Sequence, residues 1–185
     1  MGCCASKASS EDELENPRAL PSIGIPDAFR GSNVEADTQL TVSGTGAAMA
    51  SAPVEQDAAY WEVKVVKPGD ICIGVARKLT TKELEAGFSR ARKDDELPRS
   101  WVFDGDFEAG DIIGVAFGQS DLPNLSFTRN GKAQPAFDVR KICGTVYPVV
   151  SVGGGAVIKV EFESEEFANS PPHGFSALMV AQSML

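Results

Sequence analysis

An all-β fold of antiparallel strands, a sandwich or a barrel, follows from three features of this sequence. Beyond about residue 24, short apolar runs are separated by turn residues at fairly even spacing, the pattern of many short strands. The segment 59–66, AYWEVKVV, alternates with the period of two that a strand imposes on its faces. Asn130-Gly131 then sits between strand-like residues, and a two-residue turn there needs positive φ at both positions, which Asn and Gly accept most readily.

Each element can be justified in turn. Residues 7 to 24 are polar and acidic, and Pro17 and Pro21 break them, so the first 24 residues read as a flexible tether and the folded domain as 25–182. In 59–66, Trp61, Val63 and Val65 share one face, and Glu62 and Lys64 share the other, which predicts a strand with one wet side. The runs 71–77 and 111–117 are apolar on both faces. Each sets large residues (Ile71, Ile73, Val75; Ile113, Val115, Phe117) against small ones (Gly74, Ala76; Gly114, Ala116), which predicts central strands with a close neighbour on the small face. Thr80 with Glu83 forms a capping-box pattern, and Leu84 and Phe88 lie four residues apart. Gly87 interrupts the pattern, so the stretch is a short helix or a long surface loop. The runs 146–152 and 156–162 flank Gly153, Gly154 and Gly155 and predict a second hairpin, with Ile158, Val160 and Phe162 inward.

The N-terminus has a different character. MGCCAS fits the M-G-x-x-x-[ST] pattern of N-myristoylation, with Gly2 as acceptor, Ser6 at the required distance, and Cys3 and Cys4 as adjacent thiols for palmitate. One myristoyl chain binds a bilayer only reversibly, with a constant on the order of 10⁴ M⁻¹, so lasting attachment needs a second signal. A basic patch is ruled out as that signal by Glu11, Asp12, Glu13 and Glu15, which leaves acylation of Cys3 or Cys4. The expected location is the cytosolic face of a membrane, plasma or flagellar membranes being the foremost candidates. No apolar run approaches the roughly 20 residues of a spanning helix. Cys72 and Cys143 lie in apolar stretches and are expected to be buried, reduced thiols.

Charge and motif content narrow the function classes. The net charge is −9, and the one basic cluster, Arg90, Arg92 and Lys93, is followed at once by Asp94, Asp95 and Glu96. Nucleic acid, which demands clustered cations, is not the expected partner. The single histidine, His173, lies in the turn-like SPPHGF, so neither a zinc site nor a His-based catalytic set is predicted. Asp104, Asp106 and Asp111 are spaced like a calcium loop, but Val115 stands where the bidentate Glu belongs, so they read as turn residues. The glycines at 153–155 do not complete G-x-G-x-x-G. The sequence predicts no catalytic residue, no metal and no cofactor.

Taken in order, YWEVKVV, IGVAR, SWVFDG, EAGDIIGVAF, LSFTRNGK, VYPVVSVGGGAVIKVEF and PPHGFSAL resemble the segments of a SPRY domain over roughly residues 25–182. That resemblance implies a bent, concanavalin-like sandwich of two antiparallel sheets. It also implies a non-enzymatic module that holds a protein or peptide partner in loops at one edge. This chain departs from the family where Gly105 and Gly110 are only five positions apart, and the loop from Leu79 to Arg99 is rich in charge. No contact residue is therefore carried over. The candidate partner-binding residues are Arg90 and Arg92 in that loop, Trp101 and Phe103, and the stretch from Gln119 through Asp121 to Asn124. The expected function is a membrane-anchored adaptor. A small-molecule or glycan binder on the same sandwich is the alternative.

Overall fold

The computed structural model of this chain describes residues 22–88, 99–120 and 122–180. The lipidation residues Gly2, Cys3 and Cys4 and the loop residues Arg90, Arg92 and Asp121 lie outside them. In chain order the strands are β1 (Val34–Ala36), β2 (Thr41–Gly44), β3 (Gly46–Met49), β4 (Ala58–Lys67) and β5 (Asp70–Ala76). A short helix α1 (Thr81–Ala86) follows, then β6 (Ser100–Asp104), β7 (Ile112–Gly118), β8 (Asn124–Arg129), β9 (Lys132–Ala133) and β10 (Val139–Arg140). The last strands are β11 (Tyr147–Gly153), β12 (Val157–Glu161) and β13 (Ser176–Ala177).

These strands form two sheets, the sandwich of the two arrangements, sandwich or barrel, that the sequence pattern allows. The larger runs β1-β2-β12-β4-β7-β8-β10 and the smaller β3-β11-β5-β6. The neighbours in both are antiparallel, while the short β13 runs parallel to β4. Between the sheets lies one main core, in which Trp61, Val63 and Val65 of β4 are fully buried with Ile113 and Val115 of β7 and Ile73 and Val75 of β5. The predicted central strands are central: β5 lies between β11 and β6, and β7 between β4 and β8. Their small residues mark close approaches. A Cβ on Gly74 would lie 2.0 Å from the Trp101 carbonyl oxygen of β6, and one on Gly114 would lie 2.3 Å from Tyr60 Oη.

The 80s form the short helix. Glu83 N donates to Thr80 Oγ1, Thr80 N donates to Glu83 Oε2 at 2.7 Å, and Gly87 ends α1 at φ 64°. Leu84 is buried and packs with Ala47, Met49 and Ala76 in a second cluster, on the side of the smaller sheet away from the main core, with Phe88 against it. The β8–β9 turn also matches the pattern, with Asn130 at φ 51° and Gly131 at φ 75°. In place of a calcium loop, Asp111 is 7% exposed and organises two turns. It accepts from Glu108 N, Asn130 Nδ2 and the Arg129 guanidinium. Burial pushes its carboxyl up, but these hydrogen bonds outweigh burial and hold it below the usual carboxylate range.

Four expectations need correction or refinement. The runs 146–152 and 156–162 are not a hairpin. β11 pairs with β3 and β5, and β12 pairs with β2 and β4, so the turn at Gly154 (φ 59°) and Gly155 (φ 79°) carries the chain from one sheet to the other. Alternation reports which face is buried, and both arrangements bury the same face. The polar side of β4 is not wet throughout. Glu62 is 2% exposed, covered by residues 167–169: it accepts from Tyr60 Oη at 2.9 Å, Ala168 N at 2.7 Å and Asn169 N at 3.0 Å. Phe167 stacks edge-on against Tyr60, whose phenol is held above its ordinary pKa by burial and by Glu62. Cys72 is buried as expected, but Cys143 is exposed, because its loop leaves the core after Ile142. Packing also begins before residue 25, since Ile23 joins Ile25 in the core.

Two measurements test this architecture. Trp61→Ala is expected to destabilise by roughly 3–5 kcal/mol through the cavity it leaves, and Lys64→Ala, on the exposed side, by less than about 0.5 kcal/mol. Equal denaturation midpoints would contradict the assigned faces. Asp111→Asn is expected to cost about 1–3 kcal/mol at neutral pH. A carboxyl held low in the folded state stabilises above its unfolded pKa and loses that effect as pH falls, so wild type and variant should converge below pH 3.8. A gap that persists in acid would assign the cost to lost packing.

Candidate interaction surface

Strand registers place the loops at two ends of the sandwich. Ala58 pairs with Gly118, and Ala76 pairs with Tyr147 and Ser100, so residues 50–57, 77–80, 119–123 and 141–146 meet at one end. Ala50 N donating to Pro148 O and Val54 N donating to Val146 O tie the 50–57 loop to the start of β11 in the smaller sheet. This end holds Gln119, Asn124 and Trp101 of the sequence-predicted candidates.

Each of those has a definable task. Gln119 sits at the exit of β7, where its amide nitrogen donates to Val54 O and Gln56 O, both at 2.9 Å, and its backbone N–H donates to Asp57 O at 2.7 Å. A carboxamide suits the position because its two N–H groups span two carbonyls that no strand partner reaches. Asn124 begins β8, pairs with both Gly118 and Arg140, and is half-buried. Trp101 stands opposite Val75 on β6 and packs half-buried at the margin of the main core. Phe103 is a correction: it is 3% exposed, with ring centroids 4.2 Å from Phe137 and 5.1 Å from Phe107. On β6 it faces Ile73 of the core strand β5, so its side chain lies inside the sandwich.

Sequence reasoning missed Gln56. Its Nε2 donates to Ser176 Oγ and Ala177 O at 3.0 Å, and its Oε1 accepts from Met179 N at 2.8 Å. The C-terminal segment, the 51–57 loop and Gln119 are thereby fastened together. No local motif marks a Gln whose partners lie about 120 residues away. Two large apolar side chains stay exposed on the fastened loops, Leu122 at 63% and Met179 at 59%. Across the end, Arg77 donates to Cys143 O at 3.3 Å, and Arg99 donates to Lys78 O at 2.7 Å while pairing with Glu83 at 3.2 Å. Lys141, at φ 65°, donates its N–H to Pro123 O.

Beside the point where the chain enters the domain lies an open cleft of about 980 Å³. Ile25, Arg30, Leu40, Lys159 and Phe162 line it together with Asp27, Asp37, Glu161, Glu163 and Glu166. Gly24 and Ser51 fix its rim through Ser51 N donating to Gly24 O and Gly24 N donating to Ser51 Oγ. Among the described residues no group of three His, Cys, Asp or Glu side chains converges to hold a metal ion. Nor is any helix among them long and apolar enough to cross a membrane.

A sandwich of two sheets with its loops knitted at one end defines a class, and residues 58–165 match the family model of the SPRY domain, more than half of the sequence. The chain belongs to the SPRY-domain family. It is similar to SPRY domain-containing protein 7 of Homo sapiens, 27% identical over 202 residues that cover 100% of this chain and 95% of that one. The Gallus gallus protein of the same name is 29% identical over 185 residues, covering 90% and 88%. Among solved structures, a human SPRY domain superposes with a TM-score of 0.52 at 19% identity, covering 70% of this chain and 95% of that one. The TRIM65 PSpry domain superposes at 0.54 and 13%, covering 76% and 90%. These likenesses extend to the fold.

Gln119→Ala is expected to lower stability by about 1–3 kcal/mol, because the carbonyls of Val54 and Gln56 lose their side-chain partner. Urea unfolding measures this, and limited proteolysis should show faster cutting within 51–57. An unchanged midpoint and cutting pattern would mean that the loop is held by other contacts.

Proposed function

We propose that this protein is a membrane-tethered interaction module. Acyl chains on Gly2 and on Cys3 or Cys4 hold it at the cytosolic face of a membrane, and the loop end of its SPRY sandwich recruits a protein or peptide. SPRY domains are in general protein-interaction modules. The observation that carries the reading for this chain is the loop end itself. There, Gln56 and Gln119 hold loops from distant parts of the sequence in one arrangement, while Leu122 and Met179 remain exposed upon it. A preformed loop surface does not have to be ordered when a partner arrives, which removes part of the entropic cost of binding.

The tether supplies the membrane half. The M-G-C-C start carries the acyl acceptors, and the chain enters the domain at Ser22–Gly24, on the flank of the same loop end. Gly2→Ala is expected to move the protein from the membrane pellet to the cytosol on fractionation, because the amide-linked chain provides the first partition that brings the cysteines to a membrane-bound acyl transferase. Cys3→Ser with Cys4→Ser is expected to do nearly the same while leaving myristate in place. A Gly2→Ala protein that stays in the pellet would overturn the tether. Proximity labelling from the wild-type chain and from Gly2→Ala, compared with a myristoylated and palmitoylated carrier lacking the domain, tests the recruitment half. Neighbours enriched over the carrier are expected, and a set identical to the carrier's would remove it.

A further inference from the structure

The end at which the loops meet is divided by charge in a way the net charge of −9 conceals. On one half, Arg77, Lys78, Arg99, Arg140 and Lys141 are all exposed. They come from three separate stretches that the fold draws together. Arg77 N–H donates to Arg99 O, Arg99 reaches Lys78 O, and the Arg77 guanidinium reaches Cys143 O in the loop that Lys141 opens. Lys141 N–H in turn binds Pro123 O, next to the exposed Leu122. Among the described residues the acidic groups of this end are Glu83, which is paired with Arg99, the exposed Asp138, and the exposed Glu55 and Asp57 of the 51–57 loop. On the flank where the chain enters, five carboxylates of the cleft, Asp27, Asp37, Glu161, Glu163 and Glu166, stand against two cations, Arg30 and Lys159.

We propose that the half formed by Arg77, Lys78, Arg99, Arg140 and Lys141, with Leu122 beside it, is the docking surface for an acidic peptide segment of a partner protein that also carries an apolar side chain. This rests on the reading of the domain as a protein-interaction module and gives that module's partner its chemistry. Two physical arguments favour a peptide over an anionic bilayer. A bilayer is flat and would meet the carboxylates of the entry flank together with the cations, and like charges brought together at an interface cost binding. A peptide is narrow enough to lie along the cationic half alone and to cover Leu122. Cations placed on an otherwise acidic protein also steer an acidic ligand to one place, because the remaining surface repels it.

The test uses the full chain and three probes: a fluorescein-labelled peptide of glutamates around a central leucine, its lysine counterpart, and phosphatidylserine–phosphatidylcholine vesicles. Lys78→Glu, Arg140→Glu and Lys141→Glu are combined, leaving Arg77 and Arg99 to hold their carbonyls. A control of equal net charge combines Lys64→Glu, Lys67→Glu and Lys132→Glu, which are exposed elsewhere. The expected result is binding of the glutamate peptide that weakens with salt, falls at least about tenfold in the rim variant, and changes by less than about twofold in the control, at similar thermal midpoints. Absence of glutamate-peptide binding, equal losses in both variants, preference for the lysine peptide, or a rim-dependent loss confined to the vesicles would each overturn the proposal. Proximity labelling with the rim variant separates the two levels. A neighbour set unchanged from wild type overturns this surface and leaves the module reading standing, whereas a wild-type set no different from the acylated carrier's removes the module reading itself.

Discussion

Burial of β4 on both faces is the constraint on which the other features depend. Trp61, Val63 and Val65 fill the space between the sheets, and on the reverse side Glu62 is taken out of water with no cation among its hydrogen-bond donors. A buried carboxylate is costly unless its oxygens are saturated with donors, and here Tyr60, Ala168 and Asn169 provide them. The segment after β12 is thereby drawn back across the larger sheet, and β13 is brought alongside β4. Gly114 belongs to the same arrangement, since only a residue without a Cβ leaves room for the Tyr60 hydroxyl.

From β4 the consequence runs to the loop end. Once β13 lies beside Ala59 and Tyr60, the residues that follow it pass Gln56, which joins them to the 51–57 loop, and Gln119 joins that loop to β7. Buried backbone groups outside strands need partners as much as those within them. Two carboxamides meet that need, Gln56 with partners 120 to 123 residues away and Gln119 with partners 63 and 65 away. The surface that results is organised by hydrogen bonds and leaves cations and apolar side chains on the outside.

The fold was legible because most of its information is local. Period-two alternation located β4 and the inward face of β12, Asn130-Gly131 located a hairpin, and Thr80 with Glu83 located the helix start. What failed was what depends on pairing partners. Alternation assigns faces and not neighbours, so the pattern of β11 and β12 fits a hairpin as well as it fits the two different sheets to which they belong. Glu62 read as wet because nothing near it announces that residues 167–169 will cover it. The site was less legible still. Trp101, Gln119 and Asn124 were found at the loop end, but Phe103 is core. Gln56, an unremarked glutamine in a loop, is a principal fastener. Its importance lies in contacts that only the folded chain creates, and the same holds for the cation group assembled from residues 77–78, 99 and 140–141.

Residue-resolved amide hydrogen exchange on the full chain tests most directly whether the loop end is preformed. The amides of Val54, Gln119, Lys141 and Met179, all donors in the loop-end bonds, should be protected to an extent approaching that of β4. Exchange of these four at the rate of an unstructured peptide, with β4 still protected, would contradict a fastened surface and leave a sandwich whose loops are ordered only by a partner.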